Sequence, residues 1–310
     1  MNILLAGNDA YAFGTKVMLT SLLENRSDDE VTIYFTYNQL SDVHKEEYSN
    51  LVNKYNHCAI HFIFIPLELF HDVPLKATTN PYITVETYFR MAMCETLPFS
   101  VDRILYLDTD IIVNRDWSEF YHTKFKDEIA AVACQDYGLC IADKIRKKVY
   151  ENINFDLNDP YFNAGVMLIN LKYVREHYSL SLFKQYISDH YESLIFHDQD
   201  VLNSTFKNHI QYMDFNLYNC RPFFYPYNKK SAKIIREAVF IHYGEKPWNI
   251  DFTDIKGAGE LFWEYALKMG ADEEYYKWKK LNHYYKFKNL FKIAKERLKR
   301  NIKLIMLVRP

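Results

Sequence analysis

Asp102-Arg103-Ile104-Leu105-Tyr106-Leu107-Asp108-Thr109-Asp110-Ile111-Ile112-Val113 sets two carboxylates between two short apolar runs. A parallel strand buried on both faces reads as a continuous apolar run, so Ile104 to Leu107 and Ile111 to Val113 are expected as buried strand segments. A carboxylate in such surroundings is costly unless paired, and two of them repel unless a cation lies between them. On an extended backbone the side chains at i and i+2 point to one side, about 6.5–7 Å apart, a gap that a divalent ion, a water or a polyphosphate can span. Asp-Thr-Asp is also good turn chemistry. On this stretch alone both readings stand.

Upstream, strands and helices alternate. Asn2 to Ala6 reads as a buried strand, followed by the loop Gly7-Asn8-Asp9-Ala10-Tyr11 and a helix from about Phe13 to Glu24. Val31 to Tyr37 gives a second strand, Asp42 to Tyr55 a helix capped near Ser41, and Ile60 to Ile65 a third strand stopped by Pro66. A polar segment, Ala77 to Pro81, precedes Thr84 to Thr96, whose apolar residues fall at helical spacing and which carries Arg90. This is the alternation of an α/β domain. In the open sheets of such domains ligands bind outside the carboxyl ends of the strands, which makes the loop from Gly7 to Tyr11 a candidate for ligand contact, with Ala6, Asn8 and Tyr11 as its expected contact residues. The loop lacks a Gly-x-Gly-x-x-Gly fingerprint, and the chain has no phosphate loop of the Walker type.

Downstream, Asp116 to Tyr121 reads as a short helix and Ile129 to Cys134 as a strand, with less regular sequence to Pro160. Tyr161 to Leu171 is an aromatic and amide entry, with Asn163 and Gly165, into a further buried strand. Asn163 is equally suited to capping a turn. Tyr173 to Tyr191 reads as a helix, and His197-Asp198-Gln199-Asp200 opens another, where capping explains one acid but not every polar group. Val239 to Ile241 is a last short strand leading into His242-Tyr243-Gly244-Glu245-Lys246-Pro247-Trp248, a set suited to an anion and a metal.

Composition narrows the classes. The 310 residues are 49% hydrophobic with a net charge of -2, as expected of a globular chain with a large core, and include 26 Tyr and 22 Phe. Residues 275–310 carry twelve Lys or Arg against Glu296 alone, a net +11, which leaves -13 on residues 1–274. The acidic body gives no nucleic-acid signal, whereas the basic end suits an anionic surface. Phe287, Leu290, Phe291, Ala294, Leu298, Ile302 and Ile305 repeat there at helical spacing, with Lys288, Lys292, Lys295, Lys299, Arg300 and Lys303 on other faces. Such a basic amphipathic helix can lie on a membrane or dock on protein. Five cysteines without a Cys-x-x-Cys pair argue against a disulfide framework or a zinc site. The N-terminus does not read as a signal peptide and no apolar run reaches bilayer length, so the expected location is cytoplasmic.

Taken together, Tyr106-Leu107-Asp108-Thr109-Asp110, Phe162-Asn163-Ala164-Gly165-Val166, His197 to Asp200 with Leu202-Asn203, and His242 to Trp248 resemble the retaining glycosyltransferases of family 8. That family includes bacterial lipooligosaccharide galactosyltransferases and, more distantly, glycogenin. The order and spacing agree across residues 1 to about 250. The resemblance implies an α/β nucleotide-sugar-binding domain of the GT-A type, a Rossmann-like mixed sheet flanked by helices, over residues 1–250, followed by a helical, basic and aromatic extension over residues 251–310. It implies Mn2+, with Mg2+ as an alternative, held by Asp108, Asp110 and His242. It implies a UDP-sugar donor whose diphosphate meets Gly244 and Lys246 and whose sugar meets Arg90 and Asn163. Asp198 and Gln199 are expected nearest the anomeric carbon, and the acceptor is expected to be a glycan or glycolipid. Two departures stand out. The first loop has Asn8 and Ala10 where the galactosyltransferases commonly place an acid and an Asn, and the segment from His242 to Lys246 is two residues shorter. Paired carboxylates also serve nucleotidyltransferases, and a non-catalytic nucleotide-sugar-binding scaffold would keep the same ligands.

Overall fold

The computed structural model describes residues 1–27, 29–73, 85–226, 228–252, 257–295 and 298–299. Nine strands are seen among them: β1 (Asn2–Ala6), β2 (Val31–Tyr37), β3 (Cys58–Phe64), β4 (Arg103–Leu107), β5 (Ile111–Val113), β6 (Ala131–Gln135), β7 (Phe162–Asn170), β8 (Ile210–Met213) and β9 (Phe240–His242). Seven form one sheet in the order β3-β2-β1-β4-β7-β6-β8, and β5 pairs with β9 in a second, two-stranded sheet. In the large sheet β7 runs antiparallel to both of its neighbours, while every other pair is parallel.

The continuous apolar runs are explained by burial on both faces. Leu4, Ala6, Tyr34, Ile104 and Tyr106 enter one core, whereas their neighbours Ile3, Leu5, Ile33, Leu105 and Leu107 enter the other. Fully burying an aliphatic side chain of this size contributes about 1.5–3 kcal/mol, so a one-residue slip of any central strand is strongly disfavoured. A third core joins β5 and β9 to the helix Ala258–Lys268 through Val17, Ile112, Ile241 and Phe262.

Strand order reverses at β1, which pairs with β2 on one side and β4 on the other. That switch leaves a crevice at the carboxyl ends of the strands. An irregularity in β7 shapes its floor. Ala133 pairs with Met167 but Cys134 pairs with Asn163, so the residues between them leave the β6 ladder. A bulge of this kind re-aims side chains, here those around Gly165.

Several segments differ from the sequence expectation for identifiable reasons. Val85–Ala92 is a 3-10 helix, with α-helix only at Met93–Thr96; Thr84 and the Ala77 to Pro81 segment lie outside the described residues. Tyr88 through Ala92 are all buried, so contacts on every side hold this segment, not one apolar stripe. The helix expected over Tyr173 to Tyr191 is two, Leu171–His177 and Leu180–His190. Tyr178 is extended, and Ser179 caps the second helix by accepting from the Leu182 N–H. The stretch from Cys134 to Pro160 contains the helices Tyr137–Cys140 and Asp143–Asn152. The last strand ends on His242 rather than before it.

Near the C-terminus the helix Asp272–Lys288 packs back on the body. Trp278 donates its indole N–H to the Asn249 carbonyl at 2.9 Å, and Asn282 donates to the carbonyls of Ile250 and Phe252. Tyr276, Tyr284, Phe287 and Phe291 are exposed. Arg300, Ile302, Lys303 and Ile305 of the expected stripe lie outside the described residues. Among the described residues no helix is long and apolar enough to cross a membrane.

Candidate active site

The crevice at the carboxyl ends of β1 and β4 encloses about 300 Å³. Ala6, Asn8 and Tyr11 line it, as do Arg90, Asp108, Asp110, Asn163, Gly165, Asp198, Gln199, His242, Gly244 and Lys246. The fold thus gathers around one cavity every residue that the sequence reading assigned to a cation, a donor or the reacting carbon.

Asp108 is the first residue beyond β4, and its N–H bonds the Gly165 carbonyl at 2.9 Å. Oδ1 accepts from the Tyr106 hydroxyl at 2.8 Å and from Arg90 Nη2 at 2.9 Å. Oδ2 lies 3.6 Å from His242 Nε2, and Asp110 Oδ1 lies 3.4 Å from the same nitrogen. One ligand atom from each of the three residues falls within 4.8 Å of the others. The chain turns at Thr109 and Asp110, between a strand of the large sheet and a strand of the small one. The turn therefore builds the cluster, and the two readings of Asp-Thr-Asp are compatible.

Two carboxylate oxygens and an imidazole nitrogen form a hard donor set that fits a divalent cation. Gly165 forms the floor beneath it. A Cβ there would come within 2.4 Å of His242 Cε1 and 2.7 Å of Asp108 Oδ2, so a larger residue would displace two of the three donors. Burial works to raise the Asp110 carboxyl, but the His242 imidazole, the Arg221 charge and the Gly244 N–H at 3.0 Å hold it below its usual value. The positive φ of Gly244, 64°, turns that N–H toward Asp110.

The opposite wall has a different electrostatic character. His197 takes φ 49°, an uncommon conformation for a side chain of its size, immediately before the helix Asp198–Thr205. Burial pushes the Asp198 carboxyl up to about 6, with Arg90 opposing the rise and Asp108 adding to it. Arg90 is only 4% exposed and held on several sides: it donates to the Thr87 and Ala164 carbonyls and to Asp108, and its Nε lies 3.3 Å from Asp198 Oδ2. Asp200 faces away from this chemistry. Its oxygens accept from the N–H groups of Ile195 and Phe196 and from the Tyr161 hydroxyl. Asn203 likewise clasps both backbone polar groups of Phe162.

At another corner of the crevice, Lys246 Nζ lies 4.0 Å from the centre of the Tyr11 ring. Burial lowers its pKa, with Asp110 acting the other way. Trp248 supports this corner by packing onto Gly14, where a Cβ would fall 2.3 Å from the indole. Asn8 uses its side-chain oxygen to accept from the Ala10 N–H, while Asp9 is tied to Ser41 and His44.

Three residues absent from the sequence reading also belong here. Asp136 follows β6 at its carboxyl end and is paired with Arg221 at 3.2 Å. Burial works to raise it, yet Arg221, Asn163 and the Leu139 N–H hold it low. Arg221 lines the crevice, and its Nε has no hydrogen-bond partner among the described residues. Asn219 lies between Asn163 and His242. Only Asp136 left a trace in the sequence, as an acid two residues after the apolar run Ile129 to Cys134.

Residues 2–251 match the model of glycosyl transferase family 8. The chain is 30% identical over 298 residues to a lipopolysaccharide 1,2-glucosyltransferase of Escherichia coli, covering 91% of this chain and 83% of that protein. It is 27% identical over 247 residues to the lipopolysaccharide 1,3-galactosyltransferase of Salmonella typhimurium, covering 77% and 70%. Among solved structures, galactosyltransferase LgtC in complex with donor and acceptor sugar analogs superposes with a TM-score of 0.71. At 24% identity, over 86% of this chain and 96% of that one, this likeness shows the fold.

Proposed function

This chain belongs to glycosyl transferase family 8, and from that premise we propose that it moves a hexose, galactose or glucose, from a UDP-sugar to a glycan or glycolipid acceptor with retention of anomeric configuration. The observation that carries the reading is the Asp108, Asp110 and His242 cluster facing Asp198 and Gln199 across one crevice. The three donors hold a divalent cation, Mn2+ in preference to Mg2+, which when bound neutralises charge on the departing diphosphate. Lys246 and the Gly244 backbone hold the diphosphate from the other side. Arg90, fixed by its contacts with Thr87, Ala164 and Asp108, orients the donor sugar together with Asn163. Asp198 and Gln199 face the anomeric carbon. Ala6, Asn8 and Tyr11 meet the uridine.

The names of the two lipopolysaccharide transferases favour a cell-surface glycan or glycolipid as the acceptor class. Residues 1–250 act as the catalytic domain. The basic extension, residues 251–310, brings the protein to the cytoplasmic face of an anionic membrane as a peripheral protein. The exposed Tyr276, Tyr284, Phe287 and Phe291 among lysines support that role.

The test is release of UDP from UDP-galactose and UDP-glucose in the presence of Mn2+, with and without acceptor. Wild-type protein is expected to hydrolyse one donor slowly, and Asp110→Ala to abolish the release. Absence of both turnover and binding across a panel of UDP-sugars overturns the proposal.

A further inference from the structure

We infer that Asn219 is a positioning residue for His242: it fixes the imidazole as the Nδ1–H tautomer, so that the bare Nε2 faces Asp108 and Asp110 as a cation ligand. The inference rests on the cation reading above. It also ties that ligand to the sugar-facing wall.

Two kinds of group here have hydrogen-bonding roles fixed by covalent chemistry. A backbone N–H only donates, and a carboxylate held below its usual pKa only accepts. The Gly165 N–H lies 3.1 Å from one terminal atom of Asn163, which must therefore be the oxygen, Oδ1. Asn163 Nδ2 then donates to Asp136 Oδ2 and Gln199 Oε1, each at 3.0 Å. The second assignment is checked independently, because Gln199 Oε1 also receives the Ala164 N–H at 3.0 Å. Both amides are thus oriented by backbone donors.

Asn163 in turn connects to the cluster of Asp108, Asp110 and His242. Asn163 Oδ1 also faces a terminal atom of Asn219 at 2.9 Å, which must be the NH2 group. The oxygen of Asn219 is then the atom 3.0 Å from His242 Nδ1. An amide oxygen can only accept, so Nδ1 carries a proton. With a proton held on Nδ1, Nε2 is the nitrogen that stands 3.6 Å from Asp108 and 3.4 Å from Asp110, where a cation bound between them would take its lone pair. Turning the Asn219 amide over would set two oxygens 2.9 Å apart where Asn163 is 6% and Asn219 2% exposed. Water is too scarce there to relieve that contact.

The chain of bonds runs from Gly165 through Asn163 and Asn219 to His242, with Gln199 on the same amide. Asn163 and Gln199 stand on the wall assigned to the donor sugar. Asn219 is therefore the link by which a shift of that wall reaches a cation ligand, and the reverse.

The experiment uses the full chain with 15N-labelled histidine, in the presence of diamagnetic Mg2+ for the nuclear magnetic resonance and metal-free for the calorimetry. Two-bond nitrogen–proton correlation at alkaline pH reads the His242 tautomer, and calorimetric titration with Mn2+ reads the affinity. Wild type is expected as Nδ1–H. Asn219→Leu removes the acceptor, so the tautomer should shift toward Nε2–H and Mn2+ should bind about 10–100-fold more weakly. Asn219→Asp still accepts from Nδ1–H and should keep Mn2+ affinity within a few-fold, but it sets a carboxylate oxygen against Asn163 Oδ1 and should raise the KM for the UDP-sugar. An Nε2–H tautomer in wild type, or wild-type Mn2+ affinity in Asn219→Leu, overturns the inference. Equal loss of affinity in both variants also overturns it, because that marks a structural role alone. Wild-type protein that shows the Nδ1–H tautomer but takes up no Mn2+ overturns the cation reading and leaves the tautomer assignment supported.

Discussion

Replacing Asp198 by Asn should change how the stability of the metal-free protein depends on pH. The ordinary Asp carboxyl titrates near 3.8, and burial beside Asp108 pushes Asp198 up to about 6 despite Arg90. A raised acid binds its proton more tightly in the folded state than in the unfolded one. Ionising it on folding costs about 1.36 kcal/mol for each pKa unit, or about 3 kcal/mol at neutral pH. The penalty is fully present above the folded value and fades as pH falls from about 6 to about 4, where the folded protein already holds the proton. Asn imitates the protonated form. The stability difference, Asp198→Asn minus wild type, should therefore be more favourable at pH 7 than at pH 4 by about 2 kcal/mol. Carboxyls held low, such as Asp110 and Asp136, contribute stability that is lost on acidification, but they are common to both proteins and cancel in the difference. Urea unfolding across that pH range, with EDTA present, measures it. A difference that stays flat, or that favours wild type more at pH 7 than at pH 4, refutes the account of Asp198. The same variant should lose donor hydrolysis, so its gain in stability would come at the expense of function.

Two further outcomes follow from packing and charge. Gly165→Ala should weaken Mn2+ binding at least about 10-fold, because the added methyl displaces His242 and Asp108, while overpacking costs about 1–3 kcal/mol of stability; calorimetry and thermal melts read the two separately. Deleting residues 295–310 removes six basic residues and one acid, each basic residue contributing about 1 kcal/mol near an anionic surface. The shortened protein should keep its melting temperature and UDP release but leave phosphatidylserine-containing vesicles in a sedimentation assay. Unchanged sedimentation would show that this segment does not carry membrane binding.

The legible parts of the chain were those where local pattern and tertiary role coincide. β1 and β2 have the expected bounds because each is an apolar run between polar turns, buried on both faces. β8 escaped notice because Ile210–Met213 is half-buried at the sheet edge and follows no run. Asp108, Asp198 and His242 stood out because each is polar at the end of an apolar or helical segment. Asn219 and Arg221 had no such frame. They flank Cys220 in an irregular stretch and acquire meaning only through Asn163 and Asp136, each more than fifty residues away in sequence. Nor could local pattern separate Asp198 from Asp200, a choice that rested on the family resemblance alone. Both open the same helix, and only the backbone N–H groups of Ile195 and Phe196 mark Asp200 as a brace.

The division of labour within Asp108 joins the two walls of the crevice. Its Oδ1 is taken by Tyr106 and Arg90, which leaves Oδ2 on the side of His242 and Asp110. Arg90 in turn lies against Asp198, so one buried guanidinium serves a carboxylate of the cation cluster and a carboxyl pushed toward neutrality. The main sheet supplies Asp108, whereas Asp110 and His242 flank the paired ends of the small sheet, where Ile111 lies opposite His242. A cation bound by all three would tie the two sheets together at the place where the Asp-Thr-Asp turn carries the chain from one to the other. The turn is therefore what the cluster needs: an extended chain would hold the two carboxylates on one sheet and farther apart, and His242 could not complete the set.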